Sequence, residues 1–110
     1  MKVRLIKKKS IENFILQHAR SRSSFTIWLA ILNRVDWNKP SDIKSTFNSA
    51  DLLGNASERV VFNIGGNEYR MICSFHFSAN MVHLYIKWIG THAEYTNLCS
   101  ENKQYSINQF

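Results

Sequence analysis

Four side chains in the second half of this chain have the types that handling a phosphate requires: Arg70, Lys87, His92 and Tyr95. A guanidinium paired with an ammonium can hold a phosphodiester and offset the charge that develops as it reacts. An imidazole with a phenol can take and give the protons that such a reaction moves. On a helix, the spacing of His92 and Tyr95 puts them side by side. Taken singly, each of the four also has an ordinary explanation as part of a solvated basic face or a structural pair.

The neighbouring sequence says how these groups would be held. Thr91-x-x-Glu94 is a capping box: the threonine hydroxyl accepts from the Glu94 N–H, and the carboxylate accepts from the Thr91 N–H. It predicts a helix that begins at His92, with a positive end and free N–H groups that suit an approaching phosphate. Upstream, Val60, Phe62 and Ile64 alternate on one strand face, and Gly65-Gly66 supplies the positive φ values of a two-residue hairpin turn. The chain returns through Tyr69, Met71, Cys73, Phe75 and Phe77, so Arg70, Ile72, Ser74 and His76 point the other way. A third strand, Met81 to Ile89, sends Val82, Leu84, Ile86 and Trp88 to the oily face and His83, Tyr85 and Lys87 to the opposite one. Asn63 and Asn67 flank the glycines as turn residues. His76 and His83 have no third ligand in view, so no metal site is expected.

The first half must supply the cover for the oily face. Val3 and Leu5 alternate with basic residues as a short strand. Ser10 is the expected N-cap of a helix that buries Ile11, Phe14 and Ile15, with His18 at the border of the core. Ser23 or Ser24 would cap a second helix whose core face is Phe25, Trp28, Leu29, Leu32 and Val35, widened by Ile27 and Ile31. Asp36 to Pro40 ends that helix, because the residue before a proline is driven from the α region. Ser41 then begins a short helical turn carrying Ile43 and Phe47, and 48–57 reads as a loop. Residues 100–110 form a polar C-terminal tail, expected to be partly disordered. Strand, helices, strand meander and terminal helix in that order predict an α+β domain, with helices on one face of an antiparallel sheet.

Composition narrows the partners. Lys and Arg number 14 against 8 for Asp and Glu, a net charge of +6 that attracts polyanions, nucleic acid first among them. Seven of those basic residues, Lys7, Lys8, Lys9, Arg20 and Arg22 included, lie in the first 22 positions. No apolar run there makes a secretory signal, and none elsewhere is long enough to span a membrane, so a soluble, cytoplasmic protein is expected. Cys73 and Cys99 lack zinc-site spacing and are expected to be reduced, Cys73 as a small buried hydrophobe. With 45% hydrophobic residues in 110, there is material for one core and not two.

The blocks Val61-Phe62-Asn63-Ile64-Gly65-Gly66-Asn67-x-Tyr69-Arg70 and Ile86-Lys87-Trp88-Ile89-Gly90-Thr91-His92-Ala93-Glu94-Tyr95, with Trp37, Asp42-Ile43-Lys44 and Ser49-Ala50-Asp51 upstream, resemble the HigB-type toxins of bacterial toxin–antitoxin modules. These are similar to RelE-like ribonucleases, and the resemblance runs from about Phe14 to Tyr95. It implies a single RelE-like domain over 1–99 followed by the tail. It also implies an mRNA interferase that cleaves transcripts at the ribosome without a metal or cofactor and is silenced by a cognate helix-turn-helix antitoxin. The implied reaction is attack of a ribose 2′-hydroxyl on the adjacent phosphorus. Arg70 would then clamp the transition state with Lys87 in support, and His92 and Tyr95 would share acid and base duties, Tyr95 alternatively stacking on a base. Lys7, Lys8, Lys9, Arg20 and Arg22 would track RNA backbone. One departure stands out: the family's acidic residue after the tyrosine is Thr96 here. A non-catalytic RNA-binding module and a protein-interaction module are the competing readings, and neither needs His92 or Tyr95 for rate.

Overall fold

Alternation from Arg59 onward produces the three long strands at the centre of the structure, a computed structural model describing residues 1–110. In chain order the elements are β1 (Val3–Ile6), α1 (Lys9–Gln17), α2 (Arg22–Leu32), α3 (Ser41–Thr46), β2 (Asp51–Leu52), β3 (Arg59–Ile64), β4 (Tyr69–Phe77), β5 (Val82–Thr91) and α4 (His92–Ser100). The sheet order is β1-β5-β4-β3-β2. The meander is antiparallel as expected, while β1 joins the outer edge of β5 in parallel.

Helices α1 to α3 cover one face. Ile11, Ile15, Phe25, Trp28, Leu32 and Ile43 meet Val60, Phe62, Met71, Cys73, Leu84 and Ile86 in one buried core. Burial pushes the Cys73 thiol well above the usual thiol range, in keeping with its reading as a small hydrophobe. His18 lies at the border of this core, stacked on Phe14 at 4.1 Å and edge-on to Tyr69.

Several local expectations are corrected. Ser10 is not a cap: α1 starts at Lys9, and Ser10 is buried in its first turn. Likewise α2 starts before Ser23, following a 3-10 turn over Ala19–Ser21. It stops at Leu32, ahead of the Asp36–Pro40 breaker. In the first turn of α3, Asp42 reaches back to the turn before the helix and accepts from Asn38 N–H (2.8 Å) and Lys39 N–H (3.2 Å). Those bonds, Asn38 foremost, hold its carboxyl below the usual carboxylate range. The 48–57 loop contains the two-residue strand β2, paired with Val60 and Val61. Ile27 and Ile31 do not widen the core face of α2; both are exposed.

Two further corrections bear on the site. Ile64 pairs with Tyr69, so the β3–β4 connection is the four-residue stretch 65–68, with Gly65 at φ 67° and Gly66 at φ 68°. On β5 a bulge interrupts pairing with β4: Ile72 faces Trp88 while Cys73 faces Ile86, leaving Lys87 as the extra residue. The bulge turns Trp88 away from the oily face and onto the other. There Trp88, Val61 and Ile72 form a second, smaller core under Tyr95 and Leu98 of α4. The tail is ordered against this face. Ile107 packs on the small core, Arg59 Nη1 donates to the Ile107 carbonyl (2.7 Å), and the Gln109 N–H donates to the Lys87 carbonyl (2.8 Å).

Candidate active site

Register brings the hairpin and the capping box into one place. Tyr69 pairs with Thr91 and Arg70 with Gly90, so the end of β4 lies directly beside the start of α4. The His92 N–H donates to the Glu68 carbonyl at 3.0 Å, fastening the helix terminus to the 65–68 turn. Both halves of the capping box form: Glu94 Oε1 accepts from the Thr91 N–H (2.7 Å) and Thr91 Oγ1 from the Glu94 N–H (3.1 Å). The elements that carry the chemistry are thus anchored to each other by main-chain bonds.

Arg70 is only 7% exposed, and its guanidinium is held from two sides. Nη1 donates to the Tyr69 carbonyl (3.1 Å) and Nη2 to Asn67 Oδ1 (3.3 Å). That commits two of its five donors and fixes the plane of the rest. Asn67 therefore does more than make a turn. His92 is exposed at the helix start, and Tyr95 follows one turn later, half-buried with its ring 6.1 Å from that of Trp88. Burial pushes the Tyr95 phenol up from its usual range. The Cys99 thiol and the Asp51 carboxylate push it the same way, against the smaller opposing pull of Arg70. These surroundings hold the phenol in its protonated form.

Gly90 leaves room for the Trp88 ring and the capping carboxylate of Glu94. A Cβ there would run into the Trp88 ring and come within 2.9 Å of Glu94 Oε1, the oxygen that caps α4. Gly90→Ala is expected to cost about 1–3 kcal/mol through this overpacking. Thermal denaturation would read it as a fall of several degrees.

The remaining residues singled out in the sequence are placed apart from this centre or at its rim. Lys87 sits in the bulge with its ammonium 5.7 Å above the Tyr85 ring, on the side away from Gly90. Arg20 is at the rim: it pairs with Glu68 at 3.3 Å, in the same turn that holds His92. Arg22 opens α2, while Lys7 and Lys8 between β1 and α1 and Lys9 at the start of α1 are exposed. His76 and His83 face each other across β4 and β5, with ring centroids 6.3 Å apart. Thr96 spends its hydroxyl on the His92 carbonyl (3.1 Å).

Two contributors escaped the sequence reading. Trp88 needed the bulge, which no alternation pattern announces. Asp51 needed β2: across the sheet Asp51, Val61, Ile72 and Trp88 form one registered row, and Tyr95 packs on its apolar members. The carboxylate this puts near Tyr95 lies far from it in sequence.

The chain is 26% identical over 91 residues to the mRNA interferase toxin HigB of Escherichia coli K12, covering 83% of this chain and 86% of that protein. The mRNA interferases HigB of E. coli O157:H7 and Shigella flexneri match to the same extent. Residues 21–98 match HigB_toxin, described as the RelE-like toxic component of a toxin-antitoxin system. The match takes in α2 through most of α4, the hairpin, the bulge and the capping box, and the chain belongs to this family of RelE-like toxins.

Proposed function

We propose that this chain is an mRNA interferase, an endoribonuclease that cuts by using the RNA's own 2′-hydroxyl and is kept silent by a cognate antitoxin of the helix-turn-helix type. The observation that carries the reading is the buried, doubly held Arg70 guanidinium beside a helix N-terminus that bears His92 and a protonated Tyr95. His92 takes the proton of the 2′-hydroxyl as its oxygen attacks phosphorus. Arg70 offsets charge on the non-bridging oxygens. The bond from phosphorus to the 5′-oxygen breaks, and Tyr95 protonates the leaving oxygen. The products are a 2′,3′-cyclic phosphate and a free 5′-hydroxyl, with the base and acid reset by proton exchange with water.

Lys87 joins the phosphate contacts on the flank toward Tyr85, and Arg20 and Arg22 take the RNA backbone on the flank toward the hairpin. Lys7, Lys8 and Lys9 add sequence-independent attraction, ribosomal RNA included, so binding weakens as salt rises. The ribosome is the setting in which such a basic, compact enzyme meets extended mRNA. End chemistry tests the reading: purified chain and RNA should yield fragments with 5′-hydroxyl ends, and 5′-phosphate ends would refute it.

A further inference from the structure

Two of the large apolar side chains that the fold leaves exposed, Ile27 at 62% and Ile31 at 39%, lie on one side of α2. They border an apolar groove of about 260 Å³ that Trp28, Phe47 and Ile64 also line, with Asn63 and Gly65 at its opposite wall. Asn63 pairs with Arg70 across the hairpin, so this wall belongs to the strands of the candidate active site. On the other side of Ile27 a shallow depression is lined by Arg20, Arg22 and Thr26. From 13 to 35 the sequence contains Arg20, Arg22 and Arg34 and no Asp or Glu at all. An apolar trough flanked by arginines on one side is an unusual thing to leave in water.

We infer that this face of α2 is the docking surface for the antitoxin, and that the segment it receives is an acidic amphipathic one. Apolar anchors at helical spacing would fill the trough between Ile31 and Gly65, and carboxylates would meet Arg22 and displace Glu68 from its exposed pair with Arg20. The inference rests on the toxin reading above. Other occupants fit less well. RNA would satisfy the arginines but leave the trough unfilled, and a second copy would set its own basic rim against this one at a net charge of +6 each. Docking here also explains silencing without contact to His92. The occupant covers Asn63 and Gly65 beside the Arg70 clamp and takes up the arginines that RNA would otherwise use.

The test uses Ile27→Lys and Ile31→Lys, with Ile27→Met as the conservative control, and the antitoxin encoded beside this chain's gene. Lysine is a good helix former, and neither position belongs to the proposed catalytic set. Expressed alone, the lysine variants should arrest growth as the wild type does. Co-expressed with the antitoxin, they should escape rescue, and purified chains should bind it roughly tenfold more weakly or worse. Ile27→Met should be rescued. Unchanged binding by both lysine variants, at melting temperatures matching the wild type, would overturn the inference. So would a concentration-dependent dimer of the chain alone that Ile27→Lys abolishes, since the groove would then belong to a second copy. Binding of purified chains is read independently of toxicity. Failure of the nuclease reading would appear as a harmless wild type that still binds through the groove.

Discussion

Arg70→Ala is expected to lower kcat/KM for RNA cleavage by about 10²–10³-fold, the usual consequence of removing one preorganised group that stabilises transition-state charge. Growth arrest should be lost with it. The effect is large because the guanidinium is neither free nor screened. It is 7% exposed and fixed through both terminal nitrogens, to the Tyr69 carbonyl and to Asn67, before any substrate arrives. Arg70→Lys should recover little, since a single ammonium cannot hold both partners and present a planar fork to phosphate. Asn67→Ala should fall between, because it frees one corner of the guanidinium without removing it. A melting curve separates these effects from misfolding. If Arg70→Ala cleaves RNA at the wild-type rate, the clamp assignment is wrong.

His92→Ala and Tyr95→Phe should each cost on the order of 10²–10⁴ in kcat, and they should differ in what rescues them. Removing the base abolishes the acidic limb of the pH–rate profile. Removing the acid does not, but makes the rate sensitive to the leaving group. An RNA with sulfur in place of the 5′-bridging oxygen has a leaving group that needs no proton. It should restore Tyr95→Phe toward the wild-type rate and leave His92→Ala impaired. The assignment follows from the surroundings of Tyr95. Burial against Trp88 and Leu98, the Cys99 thiol and the Asp51 carboxylate all hold its phenol in the protonated form. A Tyr95→Phe variant indistinguishable from wild type on normal RNA would leave the ring only a stacking role.

Local sequence carried much of this site, and the rest depended on long-range register. The capping box was legible because its two hydrogen bonds are made between residues three apart, and both are present. The direction of Arg70 followed from simple alternation along β4, which runs unbroken from Tyr69 to Phe77. Trp88 was misplaced for the same reason that Arg70 was not. One extra residue at Lys87 shifts every later side chain to the opposite face, and no residue type there marks a bulge. The diglycine was correctly a site of positive φ, but pairing of Ile64 with Tyr69 makes the connection four residues long. In that longer turn Asn67 can reach the guanidinium. The polar tail looked too hydrophilic to fold. Its order comes from a few specific contacts, Arg59 to the Ile107 carbonyl and Gln109 to β5, that composition cannot reveal. Serines 10, 23 and 24 show the reverse error: plausible caps by type, they lie inside helices whose starts were set by packing.

In this account the RNA supplies its own nucleophile within a site centred on Arg70. The most direct measurement uses a short RNA with one mapped cut site, cleaved by the purified chain. A single 2′-deoxy substitution at the nucleotide 5′ to the scissile phosphate should abolish that cut, while the unmodified RNA yields a 2′,3′-cyclic phosphate and a 5′-hydroxyl. Cleavage that persists at the deoxy position, with 5′-phosphate ends, would contradict it.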